Sequence, residues 1–177
     1  MFGSYRINER KEAPARLSLN FENAELNFYT CSLRYIEGEI NASYDWSEDV
    51  MSDEWNPKKA LSKISIKPDA LICDILLDQQ IFSGVGNIIK NEVLYRVGIH
   101  PLSIVNAIPL PKLKLLIKEA RTYSFDFLEW KKAYVLKKHW LVNTRKICPL
   151  GHPLERAYLG KTKRRTFFCP ICQKLYQ

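Results

Sequence analysis

The sequence predicts an α+β fold in three consecutive parts, with antiparallel strands first, helices next and a short metal-stabilised ribbon at the end. Three observations support this prediction. Apolar residues alternate with polar ones between residues 17 and 30, recur at helical spacing in the middle of the chain, and give way to a cysteine-rich terminus. A length of 177 residues is enough for one ordinary domain or two small ones.

The first part, residues 1–57, has the pattern of a β-hairpin followed by a loop. Polar and apolar residues alternate from Leu17 to Phe21 and again from Leu26 to Thr30, with a turn expected between them. Residues 41–57 contain many turn-forming residues and few apolar ones. We therefore expect part of a β-rich domain that ends near residue 57.

The middle part, residues 58–145, has helical periodicity. Apolar stripes over residues 71–76 and 89–97 flank a turn that contains two glycines, and the second stripe stops at another glycine. A further helix is expected from about residue 111 to residue 130. These elements predict a helical domain built around two helices that a glycine turn connects.

The last part, residues 146–177, carries a candidate metal site. Its potential ligands occur as two short pairs separated by a long loop: Cys148 and His152, then Cys169 and Cys172. Two such pairs can close two turns over one zinc ion in a tetrahedron, so we predict a structural zinc ribbon. The alternative is that the cysteines are small buried apolar residues and the histidine lies at the surface. Thirty residues build little core without a cross-link, which favours zinc.

The formal net charge of +8 is concentrated in the second half of the chain. Such a surface favours a polyanion as partner, and the alternative is a basic face that is only solvated. No apolar run is long enough to cross a bilayer, and the first residues are too polar for a signal peptide. We expect a cytoplasmic protein with no membrane partner, nucleoid-associated if its source is bacterial.

The turn with two glycines is a candidate anion site. Gly84 and Gly86 permit positive φ angles and a close approach of the backbone to a ligand, and Asn87 is placed to cap the helix that follows. Free N–H groups at the start of a helix attract phosphate. A purely structural turn explains the same pattern, so the residues alone leave both interpretations open.

Two segments of the chain resemble motifs of one known family. Residues 79–101 have the pattern QQ-x3-GVGNI-x3-E-x-L-x3-GIHP, and residues 164–173 read RRTFFCPICQ. The first is similar to the helix-two-turns-helix element of the formamidopyrimidine-DNA glycosylase and endonuclease VIII family. The second is similar to that family's zinc-finger signature. The resemblance covers most of residues 58–177, and the absence of an arginine-phenylalanine wedge after the strands favours the endonuclease VIII-like branch.

The resemblance implies base excision repair by a bifunctional DNA glycosylase and apurinic-site lyase that excises oxidised bases. In the family an amino-terminal proline attacks C1′ of a flipped nucleotide, and elimination then cuts the strand. Asn87 matches the family's phosphate-binding asparagine, and Arg164 matches an arginine that contacts phosphate and assists the elimination, which makes it our one catalytic candidate. We assign the DNA contact to these two residues and four others: Gly86, Lys90, and Met1 with Phe2 as an apolar wedge between bases.

The start of the chain departs from the family pattern. Family members begin Met-Pro-Glu, whereas this chain begins Met-Phe-Gly-Ser, in a stretch that resembles an internal loop of the family. We therefore expect the proline nucleophile, its glutamate and a hairpin lysine to lie upstream, which leaves a DNA-binding portion without the residues for base removal. The partner would be damaged double-stranded DNA, bound by a monomer. The alternatives are a non-catalytic, zinc-containing DNA-binding or damage-sensing protein and an RNA-binding ribbon protein.

Overall fold

The computed structural model describes residues 3–177 and divides the chain into two compact units, one up to Tyr44 and one from Asp45 to Gln177. Strands make up the regular structure of the first unit, and helices with a two-stranded hairpin make up that of the second. The α+β class predicted from the sequence is therefore confirmed. No helix in the described part of the chain combines the length and the apolar character that a membrane span requires.

The first unit is a three-stranded antiparallel sheet of β1 (Ser4–Ile7), β2 (Leu17–Asn20) and β3 (Glu25–Tyr29), in the order β1-β3-β2. The predicted hairpin is the pair β2–β3, and the turn lies where the sequence places it. The sequence places a loop at the start of the chain, whereas the structure has strand β1 there, paired with β3.

One polar side chain of this sheet is buried. The Asn27 side chain is fully buried because Ser18 donates to its Oδ1 at 2.6 Å and its Nδ2 donates to the backbone of Glu9 at 3.1 Å. Glu25 forms two hydrogen bonds with Arg10, of 2.8 and 2.6 Å. These bonds lower the pKa of Glu25 to about 2. Polar contacts therefore help to stabilise this sheet, because its apolar core is small.

The second unit begins earlier than the composition indicates. The turn-rich stretch expected to be a linker holds Val50 fully buried, and Arg121 donates hydrogen bonds of 2.8 Å to the carbonyls of Val50 and Ser52. Isolated apolar residues and one long arginine therefore fix this stretch to the helices that follow. The structure divides the chain after Tyr44 and not near residue 57.

Four helices form the body of the second unit: α1 (Pro57–Ser65), α2 (Ile72–Ile75), α3 (Asn87–Val97) and α4 (Leu110–Lys132). Helix α3 is central, since most of its side chains, polar ones included, are buried. Its end is fixed by Gly98 in the left-handed region and by Lys112, whose Nζ donates to the carbonyl of Val97 at 2.7 Å.

The hairpin of β4 (Glu155–Leu159) and β5 (Arg164–Phe168) lies against this helical body. The segment after the hairpin also joins it. The backbone of Lys174 bonds to Gly98 at 3.0 Å and to His100 at 2.9 Å, and the amide of Gln173 donates to the carbonyl of Ile99 at 2.8 Å. The predicted zinc ribbon is consequently attached along its length and is not a separate appendage.

Candidate nucleic-acid interface and metal centre

The start of α3 is built as the glycine turn predicts, with one difference. Gly84 has a φ of +89°, in the left-handed region that favours glycine. Gly86 is extended, with a φ of −106°, so of the two glycines only Gly84 uses the left-handed region. No atom lies within 4 Å of the place where a Cβ at Gly86 would stand. The space beside Gly86 is therefore open, at the point where the backbone N–H groups of the first turn of α3 begin.

Asn87 lies at this helix start, but it does not cap the helix. Gly86 holds the capping position without a side-chain hydrogen bond, and Asn87 is the first helical residue. Its Nδ2 donates instead to the backbone carbonyl of Arg165 in β5, at 2.8 Å. Its buried Oδ1 has no hydrogen-bond partner. The expected capping role is corrected, because a side chain already inside the helix cannot accept from the N–H groups that follow it.

Lys90 is placed differently from the sequence expectation. We assigned it to the DNA-contacting surface, yet it is only 1% exposed, and its Nζ donates to Thr166 Oγ1 at 2.7 Å. That hydroxyl in turn donates to the carbonyl of Arg164 at 3.0 Å. A buried ammonium group cannot make a direct phosphate contact, so Lys90 lies behind the surface and not on it. Burial lowers its pKa to about 8.

Arg164 begins β5 and is brought close to the start of α3. The bond from Asn87 to the adjacent Arg165 carbonyl joins helix and strand at this point. The side chain of Arg164 makes no hydrogen bond or ion pair with any residue that the structure describes, so its guanidinium group is available to a ligand. Three groups therefore converge on one place: the start of α3, the side-chain amide of Asn87 and the free guanidinium group of Arg164. The arginine lies far from the other two in the sequence.

Asp74 and Gly160 hold the turn that precedes Arg164. Asp74 Oδ1 accepts a hydrogen bond of 2.9 Å from the backbone N–H of Lys161. Gly160 has a φ of +76°, and a Cβ there would lie 2.2 Å from the same oxygen. The sequence analysis missed both residues, and only the glycine in the long loop between the two ligand pairs offered a signal.

Glu92 is a third residue whose role the sequence analysis missed. It lies fully buried on α3, and its carboxylate accepts hydrogen bonds from three consecutive backbone N–H groups, those of Leu141, Val142 and Asn143, at 2.7 to 3.0 Å. This carboxylate fixes the irregular segment that leads to the cysteine cluster. The available signal was a charged residue between the apolar positions Ile89 and Val93 of one helix face.

The four predicted metal ligands meet in one cluster. The ligand atoms of Cys148, His152, Cys169 and Cys172 all lie within 4.8 Å of one another. The Sγ atoms of Cys148 and Cys172 are 3.8 Å apart, and His152 Nδ1 lies 3.7 Å from the first and 3.2 Å from the second. Two thiolates of a tetrahedral zinc site, with bonds of about 2.3 Å, are about 3.8 Å apart. The cluster therefore has the donor set and the spacing for a metal ion, and it fits a zinc ribbon.

The remaining assigned residues, Met1 and Phe2, lie outside the described residues. The other two histidines are structural. His100 packs edge-on against Phe168, with ring centres 4.6 Å apart, and His139 stacks on Trp130 at 4.1 Å. Neither belongs to a metal cluster in the part of the chain that the structure describes.

Residues 47–129, which contain α1 to α3 and most of α4, match the family model described as the formamidopyrimidine-DNA glycosylase H2TH domain. Endonuclease 8-like 2 of Bos taurus is 35% identical over 191 residues, which cover 98% of this chain and 56% of that protein. The chain belongs to the formamidopyrimidine-DNA glycosylase and endonuclease VIII family, in its endonuclease VIII-like branch. It spans about half the length of this relative.

Solved structures of family members have the same fold. The formamidopyrimidine-DNA glycosylase of Thermus thermophilus superposes with a TM-score of 0.79 at 22% identity, covering 98% of this chain and 73% of that one. The Lactococcus lactis enzyme, non-covalently bound to DNA that contains an abasic site, gives a TM-score of 0.75 at 18% identity, covering 97% and 70%. At these identities the likeness concerns the fold alone.

Proposed function

We propose that this chain supplies the DNA-binding part of a bifunctional DNA glycosylase and apurinic-site lyase that acts on damaged duplex DNA. The observation that carries the proposal is the hydrogen bond of 2.8 Å from Asn87 to the Arg165 carbonyl, which brings the helix start and the arginine strand together. Family membership supports the reaction class, and the DNA-bound relative supports the partner.

The chemistry of the converging groups suits a phosphate of the DNA backbone. The first N–H groups of α3 have no intrahelical partners, and the helix dipole places partial positive charge at the same end. The guanidinium group of Arg164 can form two parallel bonds to phosphate oxygens. A phosphate held at this point would fix the register of the duplex, and Arg164 would also lie near the sugar where elimination takes place.

We propose that the metal of the cysteine cluster is zinc, in a structural role. All four positions of a tetrahedron would be filled by protein ligands, which leaves no open position for a catalytic water. Zinc would fix the turns on either side of the β4–β5 hairpin. Because β5 begins with Arg164, an ordered hairpin is what presents this arginine to the ligand.

The experiment measures binding of a short duplex with a tetrahydrofuran abasic-site analogue by fluorescence anisotropy. We expect Asn87→Ala and Arg164→Ala each to weaken binding by about 1 to 3 kcal/mol, because each removes a charge-assisted or buried contact. Lys118→Ala, which removes an exposed charge from α4, is the matched control and should change affinity little. Unchanged binding in both site variants would refute the proposed interface.

A non-catalytic DNA-binding or damage-sensing protein is the second candidate function. It predicts the same binding results and differs only in chemistry. Incubation of a form extended upstream to a Met-Pro-Glu start with an oxidised-pyrimidine duplex and borohydride distinguishes the two, because the amino-terminal proline of a lyase forms a Schiff base that reduction traps covalently. A trapped complex favours the enzyme, and its absence with tight binding favours the binding protein.

A further inference from the structure

Lys90 is a buried cation without an anionic partner. It is 1% exposed, and none of the ion pairs among the described residues includes it. Its hydrogen bond joins Nζ to the neutral hydroxyl of Thr166. Proteins normally pair a buried charge, since removing an ion from water costs several kcal/mol. The counter-charge for the ammonium group of Lys90 must therefore come from another group.

The groups that face Lys90 do not supply one. Cys73 on helix α2 is one of these groups. Burial raises the pKa of its thiol to about 11, so the thiol is neutral near pH 7. Asp74, also on α2, attracts the ammonium group but lies beyond ion-pair distance and is engaged by the N–H of Lys161. Strand β5 contributes Arg164, a second cation, whose repulsion disfavours the charged form of Lys90 further.

Both cations lie at the place that the proposed function assigns to a DNA phosphate. Lys90 is in the first turn of α3, and its Nζ is two hydrogen bonds away from the backbone of Arg164, through Thr166. The N–H groups and the helix dipole at the α3 start add positive potential. An anion bound there would be attracted by Lys90 through protein of low dielectric, without touching it.

We propose that the buried ammonium group of Lys90 takes its counter-charge from the DNA phosphate bound at the α3 start and Arg164. Lys90 is thus a positioning and electrostatic residue of that phosphate site, and this inference rests on the proposed function. Binding of the phosphate stabilises the charged form of Lys90, so the free protein takes up a proton as DNA binds. Linkage then requires affinity to fall as pH rises above the pKa of Lys90 in the free protein.

The test compares wild type with Lys90→Met in the anisotropy assay with the abasic-analogue duplex, at about pH 7 and about pH 9.5 and constant ionic strength. Wild type should lose roughly tenfold in affinity between the two pH values. Lys90→Met should bind more weakly at the lower pH and lose most of this dependence. Lys118→Met, the same change at an exposed lysine, should keep the wild-type ratio.

Thermal unfolding separates this role from a merely structural one. Methionine fills the same volume without a charge, so Lys90→Met should melt at or above the wild-type temperature while it binds DNA more weakly. Lys90→Arg, whose charge does not titrate in this range, should keep binding at high pH. A melting temperature of Lys90→Met well below wild type would overturn the inference, because it would make Lys90 a stabilising residue.

The binding results distinguish the two proposals. A wild-type chain that does not bind the duplex overturns the proposed function and this inference together. Tight wild-type binding with the same pH ratio in Lys90→Met overturns this inference alone and leaves the interface of Asn87 and Arg164 intact.

Discussion

Asp74 on α2 and Lys161 in the β4–β5 turn are joined by a hydrogen bond of 2.9 Å from the lysine N–H to the carboxylate Oδ1. This bond ties the turn before Arg164 to the helical body at a second point, besides the contact between Asn87 and Arg165. The chain is therefore tied to the helical body both before β5, at Lys161, and within it, at Arg165. These two ties fix the position of Arg164 at the start of the strand.

Breaking this tie should loosen the turn and weaken DNA binding. We expect Asp74→Ala to lower the free energy of unfolding by about 1 to 2 kcal/mol, because the Lys161 N–H loses its acceptor. Asp74→Asn keeps an accepting oxygen and is the matched control. Urea denaturation measures the stability and anisotropy the affinity. Equal affinity of wild type and Asp74→Ala would show that the turn does not position Arg164.

Replacement of Gly160 by alanine should lower stability by more than the addition of one methyl group suggests. Gly160→Ala would place a methyl group 2.2 Å from Asp74 Oδ1 at a φ of +76°. We expect a loss of about 1 to 3 kcal/mol in stability, since an alanine is strained in this region and the carboxylate must also move. Gly151→Ala is the control, because its φ is +85° but no atom lies within 4 Å of the added Cβ. Equal losses in both variants would mean that backbone strain alone is responsible.

Removal of the Glu92 carboxylate should destabilise the second unit strongly. Glu92→Ala leaves three backbone N–H groups without an acceptor, two of them buried, so we expect a loss of about 2 to 4 kcal/mol by urea denaturation. Glu129→Ala removes an exposed carboxylate that pairs with Lys132 and should change stability by less than about 1 kcal/mol. Similar losses in the two variants would contradict the anchoring role of Glu92.

Metal removal should weaken DNA binding without unfolding the whole chain. Chelation, or His152→Ala, should lower the bound zinc and loosen the hairpin that carries Arg164, while α1 to α4 keep their own apolar core. Metal analysis, circular dichroism and anisotropy together test this expectation. His139→Ala is the matched control, since that ring stacks on Trp130 and lies outside the cysteine cluster. Freshly purified protein without zinc would contradict the assignment of the metal.

The stability of the chain should depend on the ionisation of Lys90 with a defined sign. Its pKa is about 8 in the fold and 10.5 in the unfolded chain. Between these values the unfolded state binds more protons, so the free energy of unfolding should rise with pH, by about 3 kcal/mol over the full window. Below pH 8 the penalty is fully present. Urea denaturation of wild type and Lys90→Met from about pH 7.5 to 9.5 isolates this contribution, because the variant lacks it.

Much of this fold could be predicted because its signals are local. The alternation around Leu17 and Leu26, the apolar stripe that ends at Gly98, and the paired spacing of the cysteine cluster each express a rule of strand, helix or metal geometry within a short window. The hairpin, helices α3 and α4 and the ligand cluster are accordingly confirmed.

The roles of Asn87 and Lys90 could not be read in the same way. Both side chains are polar and lie in the first turn of a helix, which is the pattern of a cap or an exposed contact. Their actual partners, the Arg165 carbonyl and the Thr166 hydroxyl, are 78 and 76 residues away. The boundary expected near residue 57 differs from the division after Tyr44 for a related reason, since the polar composition of that stretch conceals the buried side chain of Val50.

The same long sequence separations have a consequence for the order of folding during synthesis. Helix α3 leaves the ribosome well before the residues that satisfy Lys90, Asn91 and Glu92, which all come from position 141 onward. Until that stretch emerges, three polar side chains of the central helix lack their partners, and the helical body stays incomplete. The residues around Lys174, which are translated later still, then close the structure over Gly98. Until residues 141 to 166 have emerged, the nascent helical chain is consequently exposed to aggregation and proteolysis.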